Sequence, residues 1–483
     1  MSHHRIAEGR LARAGLLTEE AVAAAEALLD EIEARGLETI RLSFADQHGQ
    51  LRGKTLTPAA LAGAFRSGLA MTSTLLLKDT SHRTVFDVWG KGTGLGGGRL
   101  EGAGEVLVVP DPASFRLLPQ SPHSGWLIGD LAFKDLAPLP FCPRSILKRA
   151  VAALAADGTT MRAGLEVEFH LFRLADDRLT HDAAGWPAAP PATAPSHHGY
   201  QYLTEASYAA LEPVLDAIRR ALQALELPLR SVEVEFGPSQ VELTFDPAAP
   251  LAQADAMVLM RANIRETARR HGFHASFMCR PRLPHVLPSG WHLHQSLTDT
   301  PTGRNLFRSP DGTLTPAASG WIAGLLEHAA ASCLLSTPTV NGYKRYKPFQ
   351  LAPDRIQWAR DNKGAMIRAL IGPDDAAARI ENRVAEPAAN PYLFLAAQIE
   401  AGRDGLARGL TAPPPAENPY ATDAPRLPAS LGEAIEAFAA APLWQKRWGA
   451  EVVDWLAHIK RAEWARYLAH VSDWEEAEYF RQF

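Results

Sequence analysis

Apolar and polar positions fall into two different rhythms along the chain. Thr18 stands before Glu19 and Glu20, and Gly36 follows a run with helical spacing, so a capped helix is predicted over 18–35. Residues 38–44 alternate as a strand, and Asp46-Gln47-His48-Gly49 turns the chain into 51–54, which predicts a hairpin. A further strand is read at 105–109, so the region up to about 135 reads as a small α+β domain. Prolines at 138 and 143 mark a boundary. Beyond it an amphipathic helix runs from Ser145 to Gly158. Strand-like runs at 164–172, 231–245 and 290–297, with helices near 208–225 and 251–272, predict a large mixed sheet carrying helices. Residues 184–196 read as an exposed proline-rich loop. Asn390-Pro391 caps a helix towards Gly409 in a mostly helical C-terminal third. The division predicted is a helical extension over 1–36, a small domain over 37–137 and a large one over 138–483.

Composition narrows the function classes. With 483 residues, 46% apolar and 21% charged, the chain is globular and long enough for two domains. Its 49 basic and 54 acidic side chains leave a net charge of -5, a poor match to a nucleic-acid backbone. Three scattered cysteines offer neither a disulfide framework nor a cysteine zinc site, and a reducing cytoplasm is expected. The first residues lack the apolar core of a secretory signal, and no apolar run is long enough for a membrane helix. The glycine-rich stretch 90–98 lacks the Gly-Lys-[Ser/Thr] ending of a phosphate loop and reads as a plain loop.

Four runs carry candidate chemistry. On a strand, Glu166 and Glu168 share one face, with Leu165, Val167 and Phe169 on the other. Two such carboxylates repel unless a cation lies between them, although a solvated strand face would look the same. Glu235 and Glu242 flank a Gly-Pro-Ser turn and can face one cavity. His292 and His294 alternate on a third strand, a spacing competent for metal ligation. Arg379, Glu381 and Arg383 alternate on a fourth, and Arg345 and Arg368 add further cations. Carboxylates with little nitrogen suit Mg²⁺ or Mn²⁺, and neighbouring arginines suit phosphate and carboxylate groups. The set points to nucleotide-driven phosphoryl chemistry on an acidic substrate.

The runs 164–169, 235–242, 289–297, 341–345, 379–383 and 390–393, in this order, resemble the glutamine synthetase superfamily from about residue 37 to the end. The resemblance implies an N-terminal β-grasp-like domain and a catalytic domain with a curved antiparallel sheet. It implies rings of twelve copies, with each active site between neighbours. Glu168, Glu235 and Glu242 match the ligands of one metal, and Glu166, His292 and Glu381 those of a second. Two or three Mg²⁺ or Mn²⁺ ions and ATP are implied. Arg345 and Arg383 match grips on glutamate. Arg368 and Lys363 stand where phosphate is contacted, Lys363 replacing a usual arginine. His294, Ser296 and Arg379 match the nucleotide site, and Arg345, Arg368 and Glu381 the catalytic groups. ATP would phosphorylate the γ-carboxylate of glutamate, and an amine would displace phosphate.

The chain departs from the family where ammonium is bound. Leu351 and Thr72 stand at two acidic positions, and Leu287-Pro288 replaces an Asn-Gly pair. Loss of both acids removes the attraction for a cation and the base that deprotonates it. The expectation is therefore a ligase for an organic amine, aniline-like first and alkyl second, with Thr72, Leu351, Trp291 and Phe349 around the amine and Trp358 nearby. An ordinary ammonia-using glutamine synthetase and a non-catalytic member of the fold are the alternatives.

Overall fold

A computed structural model describes residues 5–90, 95–347 and 352–483. Its first sheet grows from the predicted hairpin. Strand β1 (Thr39–Ala45) pairs antiparallel with β2 (Leu51–Leu56), and Asp46 fixes the turn by accepting the His48 and Gln50 backbone N–H groups at 2.9 and 3.0 Å. Strands β3 (Leu69–Thr72), β4 (Glu105–Pro110), β5 (Arg116–Leu117) and β6 (Ser124–Phe133) complete the sheet in the order β2-β1-β6-β4-β3, with β5 on β6. The preceding helix Glu19–Ala34 is capped by the Thr18 side chain, which accepts from the Ala21 N–H.

The second sheet uses β7 (Thr159–Asp176), β8 (Ala192–Ala194), β9 (Leu229–Val234), β10 (Gln240–Phe245), β11 (Phe273–Ser276), β12 (Trp291–Asp299), β13 (Trp358–Arg360), β14 (Ile367–Leu370) and β15 (Arg379–Ala385). Its order is β13-β14-β15-β12-β7-β10-β9, with β8 and β11 also on β7; every pair is antiparallel except β13 with β14. The run predicted at 164–172 is an 18-residue strand. The run 231–245 is a hairpin rather than one strand, because Ser239 takes a left-handed φ of 63° and the Gln240 N–H returns to the Gly237 carbonyl. The proline-rich stretch is not all loop, since β8 docks Ala194 opposite Arg173.

Helices cover the outer face. Pro143–Ala156, Glu205–Ala224, Pro250–Arg270 and Pro391–Ala407 occupy the predicted regions. Asn390 caps the last by accepting from the Tyr392 and Leu393 N–H groups. Arg144, almost fully buried, ties the two sheets together. Its guanidinium reaches Asp111 at 2.7 Å beside β4, Asp130 at 3.2 Å on β6 and Asp255 at 2.9 Å on the helix beneath the second sheet. Of the glycine-rich stretch, residues 91–94 lie outside the described residues. Gly96 gives its N–H to the Glu451 carboxylate, so that donor faces a fixed acid rather than a phosphate. No helix among the described residues is long and apolar enough to cross a membrane.

Candidate active site

Strand register assembles the site. His292 lies opposite Glu166, Glu168 opposite Glu242, and both His294 and Arg368 opposite Glu381. Directly opposed residues share a face, so acids and imidazoles from four strands form one polar row. The other face is core: Leu165, Val167, Phe169, Val241, Leu243, Leu293 and Ile380 are buried. Burying that face drives the sheet together, and the register then leaves the carboxylates no other surface to occupy.

The row contains two overlapping trios, Glu166–His292–Glu381 and Glu168–Glu242–His292, whose ligand atoms lie within 4.8 Å of one another. His292 is the hub. Its Nδ1 is 3.7 Å from Glu166 and from Glu381, and its Nε2 is 3.7 Å from Glu168. The first trio matches the sequence grouping. In the second, His292 joins Glu168 and Glu242, while Glu235 is linked through a side-chain hydrogen bond to Glu242 and lines the same cavity.

Burial and mutual repulsion push some of these acids towards the protonated form, while neighbouring imidazoles and arginines keep others ionised. Burial, then the charges of Glu168, Glu166 and Glu235, push the Glu242 carboxyl up to about 12. Burial and Glu235 push Glu168 up to about 8, against the pull of Arg345 and the Gly290 N–H. Burial and Arg383 lower His292 to about 4, so its imidazole is neutral and ligand-competent at pH 7. Burial raises Glu166 and Glu381, but the His292 and His294 imidazoles beside Glu166, and the charge of Arg383 beside Glu381, more than offset it and hold both low. His292 Nδ1 and Glu242 Oε1 are buried without a hydrogen-bond partner. Oxygen-rich trios with orphaned ligand atoms fit Mg²⁺ or Mn²⁺.

Neighbours hold these groups in place. Arg379 donates its Nε–H to His294 Nδ1 at 3.2 Å, so the imidazole proton sits on Nε2 and is donated to Glu166 at 3.0 Å. Gln240 donates to Glu168 at 2.7 Å, and the Gly290 N–H to the same oxygen at 3.1 Å. A Cβ at Gly290 would overlap Arg345 Nη2, so a side chain there would displace that guanidinium. Gln240 thus holds Glu168 in place, a role with no signal of its own in the sequence, although the residue sits inside the 235–242 run.

The arginines divide their labour. Arg383, buried on β15, pairs with Glu381 and keeps an unpartnered Nε. Arg345 lines the cavity, but donates to the Val384, Ala385 and Arg383 carbonyls at 3.0, 3.3 and 3.1 Å, and so braces the end of β15 as well. Arg368 bridges Glu381 at 3.2 Å and Asp361 at 2.9 Å. Lys363 lines the cavity and is exposed, whereas Ser296 shares the His292–His294 face further along β12.

The cavity holds about 370 Å³, and its remaining wall is Tyr202, Phe236, Leu287 and Pro288. Burial and the surrounding glutamates push the Tyr202 phenol up to about 12. The residues expected around the amine fare differently. Trp291 is wholly buried on the core face of β12, edge-on to Phe394 at 5.0 Å, because its position is one residue out of phase with His292. Trp358 is also core, its indole N–H bonded to the Pro413 carbonyl at 2.7 Å. Thr72 is exposed at the end of β3 and does not line this cavity; its hydroxyl bonds Thr74 at 3.1 Å. Phe349 and Leu351 lie outside the described residues. Phe236 carries no sequence signal beyond its place next to Glu235, and Tyr202 carries none.

Comparison with known proteins agrees with this geometry. The family described as glutamine synthetase, catalytic domain, matches residues 140–479. A gamma-glutamylanilide synthase from Acinetobacter sp. is 39% identical, over 96% of this chain and 97% of that one. A glutamine synthetase from Halobacterium salinarum is 32% identical, over 95% and 96%. Among solved structures, a GmaS/ADP complex superposes with a TM-score of 0.78 at 27% identity, covering 94% of this chain and 99% of that one. Matched over most of its length in sequence and in fold, the chain belongs to the glutamine synthetase family of ATP-dependent glutamate–amine ligases.

Proposed function

We propose that this enzyme joins the γ-carboxylate of glutamate to an organic amine, an arylamine such as aniline before a small alkylamine, through γ-glutamyl phosphate. One observation carries the reading. The cavity is lined by four carboxylates, Glu166, Glu168, Glu235 and Glu242; three belong to the ligand trios, and Glu235 stands at a metal-ligand position by the family resemblance. Among the described residues no lining acid is left to hold ammonium or to take its proton. An arylamine is neutral at pH 7 and needs neither service, and its ring suits the apolar wall. The relatives support the same direction: besides the anilide synthase, a gamma-glutamylethanolamide synthetase from Streptomyces coelicolor is 29% identical over 92% of this chain.

In this reading Arg383, with Arg345 beside it, binds glutamate bidentately and orients its γ-carboxylate. Arg379, His294 and Ser296 hold the nucleotide. Arg368 and Lys363 meet the phosphoryl group in transit, with Arg368 exchanging Asp361 for a phosphate oxygen. Glu168, Glu235 and Glu242 hold one divalent ion and Glu166, His292 and Glu381 another; when bound, these ions neutralise phosphate charge and polarise the transferring group. Buried walls exclude water from the acyl phosphate. We also propose a domain division at 137/138, a cytoplasmic setting, and ring assembly, which would bring a neighbour's Thr72 towards the amine end.

Steady-state kinetics with glutamate, ATP and Mg²⁺ test the amine. The expected order of kcat/KM is aniline, then ethylamine, then ammonium. Ammonium in first place would return the enzyme to glutamine formation.

A further inference from the structure

We infer that Tyr202 and Phe236 receive the ring of an aromatic primary amine and set the choice between arylamine and alkylamine. The inference rests on the ligase reading above and assigns the acceptor subsite to two residues outside the polar row. Both line the catalytic cavity, beside Leu287 and Pro288, yet their side chains stay 47% and 46% exposed. A single exposed aromatic is ordinary; two on one wall of a substrate cavity leave apolar area for a ligand to cover.

Their placement is fixed by backbone. The Tyr200 N–H bonds the Phe236 carbonyl at 2.7 Å, and the Leu203 N–H bonds the Val234 carbonyl at 3.3 Å, so the 200–203 loop is stapled to the hairpin that carries Glu235. Tyr200 and Leu203 both take left-handed conformations, φ 61° and 55°, which non-glycine residues adopt only when their surroundings demand it. Gly199, at φ 73°, lies so close to Pro238 that a Cβ would overlap the backbone. The Tyr200 hydroxyl donates to the His285 carbonyl at 2.8 Å, and its ring supports Phe236 edge-on at 5.4 Å. Phe236 is thereby backed on one side and open to the cavity. Aromatic pairs favour edge-to-face or offset geometry, which an arylamine ring can adopt against both side chains. An alkylammonium would use the same rings only as a cation–π site.

The test compares aniline with ethylamine in Phe236→Ala, Tyr202→Ala and Tyr202→Phe. The aniline-to-ethylamine ratio of kcat/KM should fall about tenfold or more in each alanine variant and stay within about threefold of wild type in Tyr202→Phe. Equal losses with both amines, a larger loss with ethylamine, or no loss would each overturn the inference. Thermal midpoints report folding; if Phe236→Ala does not fold, Phe236→Leu, which keeps bulk without a π face, is read by the same criteria. The wild-type ranking of ammonium against aniline tests the ligase reading separately, because the variant ratio is measured within each protein.

Discussion

His292→Ala is expected to reduce turnover at saturating Mg²⁺ by at least about 1,000-fold, the equivalent of roughly 4 kcal/mol of lost transition-state stabilisation. His292 is the one side chain common to both trios and the nitrogen ligand proposed for the Glu166–Glu381 ion, so its removal opens that ion's site and disturbs the wall of the other. Three carboxylates surround it at 3.7 Å, and its Nδ1 is buried without a hydrogen-bond partner among the described residues. The imidazole is neutral at pH 7, so truncation takes no compensating positive charge from the surrounding carboxylates, and the fold should persist. Electron paramagnetic resonance of added Mn²⁺, read beside the rate and a thermal melt, separates ligand loss from unfolding. Wild-type Mn²⁺ affinity with a wild-type rate would contradict the assignment.

Arg383→Ala should raise the glutamate KM by about 30-fold to several thousand-fold, the range set by truncating a buried charged hydrogen-bond partner at about 2–5 kcal/mol. Two features single this arginine out. It is buried beside Glu381, and its Nε has no partner among the described residues. Arg345, by contrast, already gives three N–H groups to backbone carbonyls. Arg383→Lys keeps the charge but loses the planar fork, so an intermediate loss is expected. An unchanged glutamate KM in both variants, measured with ATP and amine saturating, would remove Arg383 from the substrate site.

The metal row was legible because strand alternation is a period-two signal. Glu166 and Glu168, His292 and His294, and Glu381 with Arg383 each declare a common face, and the register then sets those faces side by side. The same signal sets Trp291 on the face opposite His292, where it packs on Phe394 in the core rather than beside the cavity. Tyr202 was not legible: it stands in a loop whose path depends on left-handed residues and on hydrogen bonds to a distant hairpin, and neither has a local sequence signature. The sharing of His292 between trios was also hidden, because family positions name ligands without giving the distances between them. Thr72 belongs to the first sheet, and one chain alone does not bring it to the cavity.

In the proposed route, amide formation passes through phosphorylation of the glutamate γ-carboxylate at this row of metal ligands and arginines. Glutamate labelled with ¹⁸O in that carboxylate, incubated with ATP, Mg²⁺ and aniline, tests the route directly by mass spectrometry of both products. One ¹⁸O is expected in the released phosphate for each γ-glutamylanilide formed, because the carboxylate oxygen that attacks phosphorus leaves with it. Amide formed with unlabelled phosphate, or ATP hydrolysed with no amide at all, would contradict it.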